Sequence, residues 1–204
     1  MPDVTIRHLD VAIADWDDAS VMNVAKEAGD SSLKTRKRCA TVTGKVRACN
    51  AAYGNNGWLG VAQIWAKGSH IVKGTAKMND FYLASPSYTA TNRQHVICQE
   101  IGHLWGLDHQ DESGADLNTC MDYSNALDNP HPNVHDYEQL DIIYNHLDGS
   151  STVAALPAGF AHADVRAQAN WGKQVFTAAD GRSAIFVRDF GRDLRVVTHV
   201  IWAR

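Results

Sequence analysis

The sequence predicts an α+β fold, and three observations carry that reading. Two runs of strand-forming residues, Leu59 to Ala66 and His70 to Met78, flank the turn Lys67-Gly68-Ser69. A stretch with helical spacing of Val96, Ile97, Ile101 and Leu104 then runs to Gly106. Short strand-like runs return after a small, polar stretch at 149–159. A chain of 204 residues suits one medium domain with an appendage, here a main domain over 1–148 followed by a linker and a small β-rich extension over 149–204.

Taken in order, the β-branched residues of Val4 to Ile13 predict a first strand. Asp18 or Ser20 caps a predicted helix to Ala28, with Val21, Val24, Ala25 and Ala28 as its apolar stripe and Gly29 as its stop. Residues 40–48 read as two β-prone arms around Gly44, a hairpin with Cys39 and Cys49 at its open end. The turn Gly54-Asn55-Asn56-Gly57 leads into the two central strands. Thr91 or Asn92 caps the next helix, and a last helix spans 134–146 with Leu140, Ile143 and Tyr144 on one face. In the extension, strands are expected at 174–177, 183–189 and 194–202.

A net charge of −4 with dispersed charges supplies no basic face, which argues against nucleic acid as a partner. Residues 1–10 carry Asp3, Arg7, His8 and Asp10 without an apolar run, so they match neither a signal peptide nor a membrane span, and no membrane partner is expected. Four cysteines, at 39, 49, 98 and 120, form no C-x-x-C pair. Of the three possible pairings we favour 39 with 49 and 98 with 120, against the alternative of four free thiols in a cytosolic protein. Disulfides place the chain in an oxidising, extracellular setting, with the export signal absent from this sequence.

The chemistry concentrates in Gln99-Glu100-Ile101-Gly102-His103-Leu104-Trp105-Gly106-Leu107-Asp108-His109. Residues 99 and 103 lie one helical turn apart, and Gly106 lets the chain turn so that His109 returns to their side. With histidine at 99 the segment would read H-E-x-x-H-x-x-G-x-x-H, a three-histidine zinc site. Glu100 is then placed to take a proton from water that the metal acidifies. The competing reading is an amphipathic core helix with incidental histidines, which leaves His103 and His109 in need of buried partners.

This segment resembles that of the metzincin clan of zinc endopeptidases, matrixin-like and snapalysin-like members above all. Cys120-Met121-Asp122-Tyr123 is similar to the clan's methionine turn. The resemblance covers roughly residues 1–148 and implies a twisted mixed sheet, an active-site helix, the turn and a closing helix. It implies that Met121 supports the metal site without binding the ion, and that Tyr123 hydrogen-bonds the tetrahedral intermediate. It also puts residues 59–66 in the place of an edge strand that holds substrate, and it implies a peptide or protein substrate for a monomeric enzyme.

Gln99 departs from the pattern, and three readings follow. Its amide oxygen binds zinc, as a weaker donor than imidazole; or another histidine substitutes, with His131 and His135 open to that role; or the site is inactive and the fold holds peptides without cleaving them. His95 is excluded, being two turns from His103, about 12 Å along the helix. We favour the first, because Glu100, His103, Gly106, His109, Met121 and Tyr123 together have no use outside metal chemistry. The acidic residues Asp108, Asp111, Glu112, Asp116 and Asp122 raise calcium as a weaker second cofactor, although their spacing is not that of an EF-hand.

Overall fold

The computed structural model describes residues 4–124, 126–148 and 156–203. Its elements are α1 (Val4–Asp17), α2 (Leu33–Arg38), β1 (Val46–Ala51), β2 (Trp58–Lys67), β3 (His70–Asn79), α3 (Asp80–Leu83), α4 (Ala90–Leu104), α5 (Val134–Tyr144), α6 (Ala158–Ala161), β4 (Lys173–Thr177), β5 (Ser183–Asp189) and β6 (Leu194–Trp202). The fold is α+β, with the strands in one mixed sheet of order β1-β3-β2-β6-β5-β4. Only β1 and β3 run parallel; the other pairs are antiparallel.

Two apolar layers hold the sheet. On one face α4 packs with α1, burying Trp16, Leu59, Ala62, Ala76, Met78, Ile97, Ile101 and Leu104. On the other, Val61, Trp65, Phe160, Trp171, Phe186 and Val200 form a second cluster. Alternation along each strand divides the residues between the layers, since successive side chains point to opposite faces. Thr89 caps α4 in a reciprocal pair with Asn92, two to three residues ahead of the expected start. Every residue from Gln94 to Leu104 is buried, so α4 is a central helix rather than a half-exposed one.

Glycines let α4 approach its neighbours. A Cβ at Gly74 of β3 would stand 2.9 Å from Leu104 Cδ2. A Cβ at Gly102 of α4 would stand 2.8 Å from Trp16 Cζ2 and collide with Met121 Sδ. Trp16 is fully buried and its indole Nε1 donates to the Cys98 carbonyl at 3.2 Å, which ties α1 to α4.

The N-terminal expectations are corrected. Residues 4–13 are helical, not a strand: Leu9, Ala12 and Trp16 face α4 at helical spacing, and that burial overrides the β-propensity of Val4, Thr5 and Ile6. The predicted helix at 18–28 is irregular chain, because the Asp17 carboxylate accepts from the Val24 amide at 2.6 Å and holds the segment in another path. The hairpin at 40–48 is absent; β1 pairs with β3 instead, and Gly44 N donates to Val72 O at 2.8 Å. Both favoured disulfides are present, Cys39–Cys49 and Cys98–Cys120, with Cα separations of 5.9 and 6.0 Å.

The expected extension is β-rich, but β4–β6 continue the sheet rather than standing beside it as an appendage. β6 pairs with β2 from Trp58↔Trp202 to Lys67↔Leu194, so β2 is an interior strand and not the edge that the resemblance implied. The expected linker at 149–155 lies outside the described residues. No helix among the described residues is long and apolar enough to cross a membrane.

The packing at Gly102 yields a prediction. Gly102→Ala gains helix propensity but overpacks Trp16 and Met121, so the net expectation is a loss of about 1–3 kcal/mol, read as a lowered urea midpoint. An unchanged or raised midpoint would refute this close contact.

Candidate metal centre

The site is built where α4, the turn at 119–123 and β6 meet. Gln99 is 2% exposed, and its amide Nε2 donates to Cys120 O at 2.7 Å and Asp122 O at 3.2 Å. An amide nitrogen carries two hydrogens, and two carbonyls take them both. The side-chain oxygen is thereby turned away from the turn, and it is buried without a hydrogen-bond partner. The Cys98–Cys120 disulfide, one residue before Gln99 and at one of its acceptors, braces the same junction. Met121 is fully buried below α4 at Gly102.

His103 follows one turn later. Its Nδ1 and Leu107 O lie 2.9 Å apart; a proton on Nδ1 serves that carbonyl and leaves the Nε2 lone pair free. Gly106 adopts φ +88°, the left-handed conformation that ends α4 and returns the chain. The His109 ring then stands 4.8 Å from that of His103 at 70°, its side chain is 3% exposed, and neither of its ring nitrogens has a hydrogen-bond partner. Tyr123 stacks on His109 at 3.7 Å and Phe176 of β4 lies 5.2 Å from Tyr123. Burial holds the Tyr123 hydroxyl in its protonated form by raising its pKa.

Glu100 is fully buried, with both carboxylate oxygens unpartnered. It lies against β2 at Gly60, where a Cβ would stand 2.8 Å from its Cδ, so only glycine leaves room for it. Burial alone pushes its pKa well above the ordinary carboxylate range. Burial, with the neighbouring His199 and His109, holds His103 well below the usual imidazole value.

Several polar atoms at this junction are left without hydrogen-bond partners. Gln99 Oε1, both Glu100 oxygens, both His109 nitrogens and His199 Nδ1 are buried and unsatisfied. A divalent cation is the kind of group that satisfies such a set, and an amide oxygen with two imidazoles fits zinc's N/O preferences.

Sequence reasoning missed two participants. His199 of β6 is 6% exposed and stacks on His103 at 4.0 Å and 15°. Nothing local in the sequence marks it, because only the β2–β6 register, Ala62↔His199, brings it there. Gly60 did carry a signal, since a glycine inside a strand often marks close approach by another group.

His131 and His135 are not gathered into the site. His131 Nδ1 pairs with Asp15 at 2.9 Å on the surface. His135 is exposed and lines a cavity of about 350 Å³ beside Asp108, His109 and Gln139. The acidic loop does not converge either: Asp111, Asp116 and Asp122 accept hydrogen bonds from Ser113, Asn118, Leu117, Ser124 and Asn129. Among the described residues, the set of three His, Cys, Asp or Glu with ligand atoms all within 4.8 Å is His70, His146 and Asp148, on the surface.

The buried imidazoles give a pH prediction. Burial lowers His95 to about 4 despite its hydrogen bond to Asn129 O, and burial likewise lowers His199 to about 4. The unfolded chain takes up these protons near pH 6.5 while the folded chain refuses them to about pH 4. Stability is therefore full above about 6.5 and falls as pH drops towards 4, by on the order of 3 kcal/mol per ring. In urea unfolding, His95→Gln should flatten this slope by about one proton; an unchanged slope would contradict it. Comparison with known protein families, with characterised proteins and with solved structures finds no match to this chain.

Proposed function

We propose that this chain is a zinc-dependent hydrolase of the metzincin kind, an exported endopeptidase that uses Gln99, His103 and His109 as metal donors. The observation that supports it best is the Gln99 amide: both its hydrogens go to the turn carbonyls, so its oxygen is left as a buried acceptor on the side of α4 shared with His103. The anchored nitrogen and free oxygen reproduce the two ends of a ligating histidine, one held by backbone and one presented to the ion.

Zinc, when bound there, supplies Lewis acidity that lowers the pKa of water and polarises a carbonyl. Glu100 takes the water's proton and returns it to the leaving amine. Burial raises its pKa above the ordinary carboxylate range, and a cation bound nearby would oppose that rise. Tyr123, protonated and stacked against His109, donates to the oxygen that gains charge.

The substrate does not add to β2, whose second edge β6 occupies. A cavity of about 350 Å³ is lined by one of the donors, His109, and its volume suits a short peptide segment or a small amide. A second reading, noncatalytic metal binding, draws support from the complete burial of Glu100 and the cover of His199 over His103. The two disulfides agree with an extracellular setting.

Protein purified without chelator should carry one zinc per chain and cleave members of a mixed peptide library. Glu100→Gln should keep the zinc and lose about 10²–10⁴ of the rate. Zinc without any Glu100-dependent cleavage favours the noncatalytic reading, and no zinc even in excess metal removes the donor assignment. Gln99→His should tighten zinc about tenfold or more in chelator competition, since imidazole is the better donor; weaker binding would show that the oxygen is not a ligand.

A further inference from the structure

The sheet face opposite α4 carries polar residues that neither the apolar layers nor the donor cluster uses. Gln63 of β2 and Lys73, Thr75 and Lys77 of β3 are 1%, 3%, 1% and 8% exposed. Their neighbours on the same face, Val61 and Trp65, are apolar, as a buried sheet face requires. Gln63 donates to Val165 O and Thr198 Oγ1, and Lys73 donates to Thr41 Oγ1 and Ala161 O, so these two are satisfied. The other two are not: Thr75 Oγ1 is buried with no partner, and no hydrogen bond or ion pair of Lys77 is found among the described residues.

A cavity of about 330 Å³ lies over these residues, between the sheet, the chain at 38–41 and the chain at 161–166. That volume sits at the low end of small-molecule sites. Its charged lining is Arg38, Lys77, Arg166 and Asp164. Arg166 and Asp164 hold each other through bonds of 2.8 and 2.9 Å, so Asp164 reaches Lys77 only as a more distant charge and Lys77 has no directly bonded counter-ion among the described residues; Arg38 is exposed at the rim. Trp65 gives the cavity an aromatic wall.

An ammonium on an interior strand loses hydration and needs a counter-charge, or it is unfavourable there. Burial pushes Lys77 down to about 8, aided by Arg166 and opposed by Asp164; the group is still charged at neutral pH. A hydroxyl and an ammonium facing one polar space provide two donors for the same oxyanion.

We propose that this cavity binds a small anion, a carboxylate, phosphate or sulfate group held by Lys77 and Thr75 and faced by Arg38. The site lies across the sheet from Gln99, His103 and His109 and needs no metal, so it stands independently of the hydrolase reading. The aromatic wall suits an anion borne on a small organic body.

Calorimetric titration of the full chain with inorganic phosphate, sulfate and malonate, at ionic strength held constant with sodium chloride, tests it. At least one anion should bind native protein, and the arms distinguish a tetrahedral oxyanion from a carboxylate. Lys77→Gln should weaken that binding about ten- to hundredfold, the loss of a charge-assisted bond. Thr75→Val, which keeps the side-chain shape and the Lys77 charge, should weaken it several-fold and covers the case in which Lys77→Gln fails to fold. Lys26→Gln, at an exposed ion pair with Asp10, should bind as native does. No binding of any of the three anions, or equal binding by native and the folded cavity variants, would overturn the proposal.

Discussion

The junction of α4 with the turn at 119–123 rests on the Gln99 amide. Each of its two hydrogen bonds contributes about 1 kcal/mol net, a small share of the stability of a 204-residue chain. Their greater effect is on orientation. With Cys120 O and Asp122 O as acceptors, the amide has one way round, and its oxygen is left as a buried acceptor. The Cys98–Cys120 disulfide and Met121 beneath Gly102 hold the turn where those acceptors must be. A buried acceptor without a donor is costly, and neither the Glu100 carboxyl nor the His109 imidazole is hydrogen-bonded to it. A cation at the Gln99 oxygen would supply that missing partner, which is the basis of the zinc reading proposed above.

Close approach is the second constraint. Gly60, Gly74 and Gly102 are the points at which α4, its carboxylate or its neighbours come too near for a side chain. The first makes space for Glu100, the second seats Leu104 and the third seats the helix on Trp16 and Met121. The C-terminal strands complete the enclosure: β6 brings His199 onto His103 and β4 brings Phe176 towards Tyr123. The segment that follows the last helix of the motif-bearing region is therefore part of the wall of the site.

Legibility in the sequence followed the range of the interactions. The central strands, α4, α5 and the C-terminal strands were readable because local periodicity and caps determine them. Cys98 and Cys120 bracket the motif closely enough for their pairing to be read, and the two-turn separation sufficed to set His95 apart. The first helix was misread because Val4, Thr5 and Ile6 favour strands, whereas the deciding contact is Trp16 with Cys98, 82 residues away. β1 was misread for the same reason: its partner is β3, not the neighbouring chain. His199 was invisible because its place depends on a strand pairing across more than a hundred residues, and the Gln99 orientation required the positions of two carbonyls that no sequence pattern encodes.

The central claim is that the Gln99 oxygen completes a donor set with two imidazoles. X-ray absorption at the zinc edge of the metal-loaded chain measures it directly, since scattering beyond the first shell distinguishes imidazole from other oxygen and nitrogen ligands. The account predicts two imidazoles at about 2.0–2.1 Å with oxygen donors making up the rest. Three imidazoles would mean that a further histidine, with His199 the nearest, takes the place assigned to Gln99, and one or none would remove the centre described here.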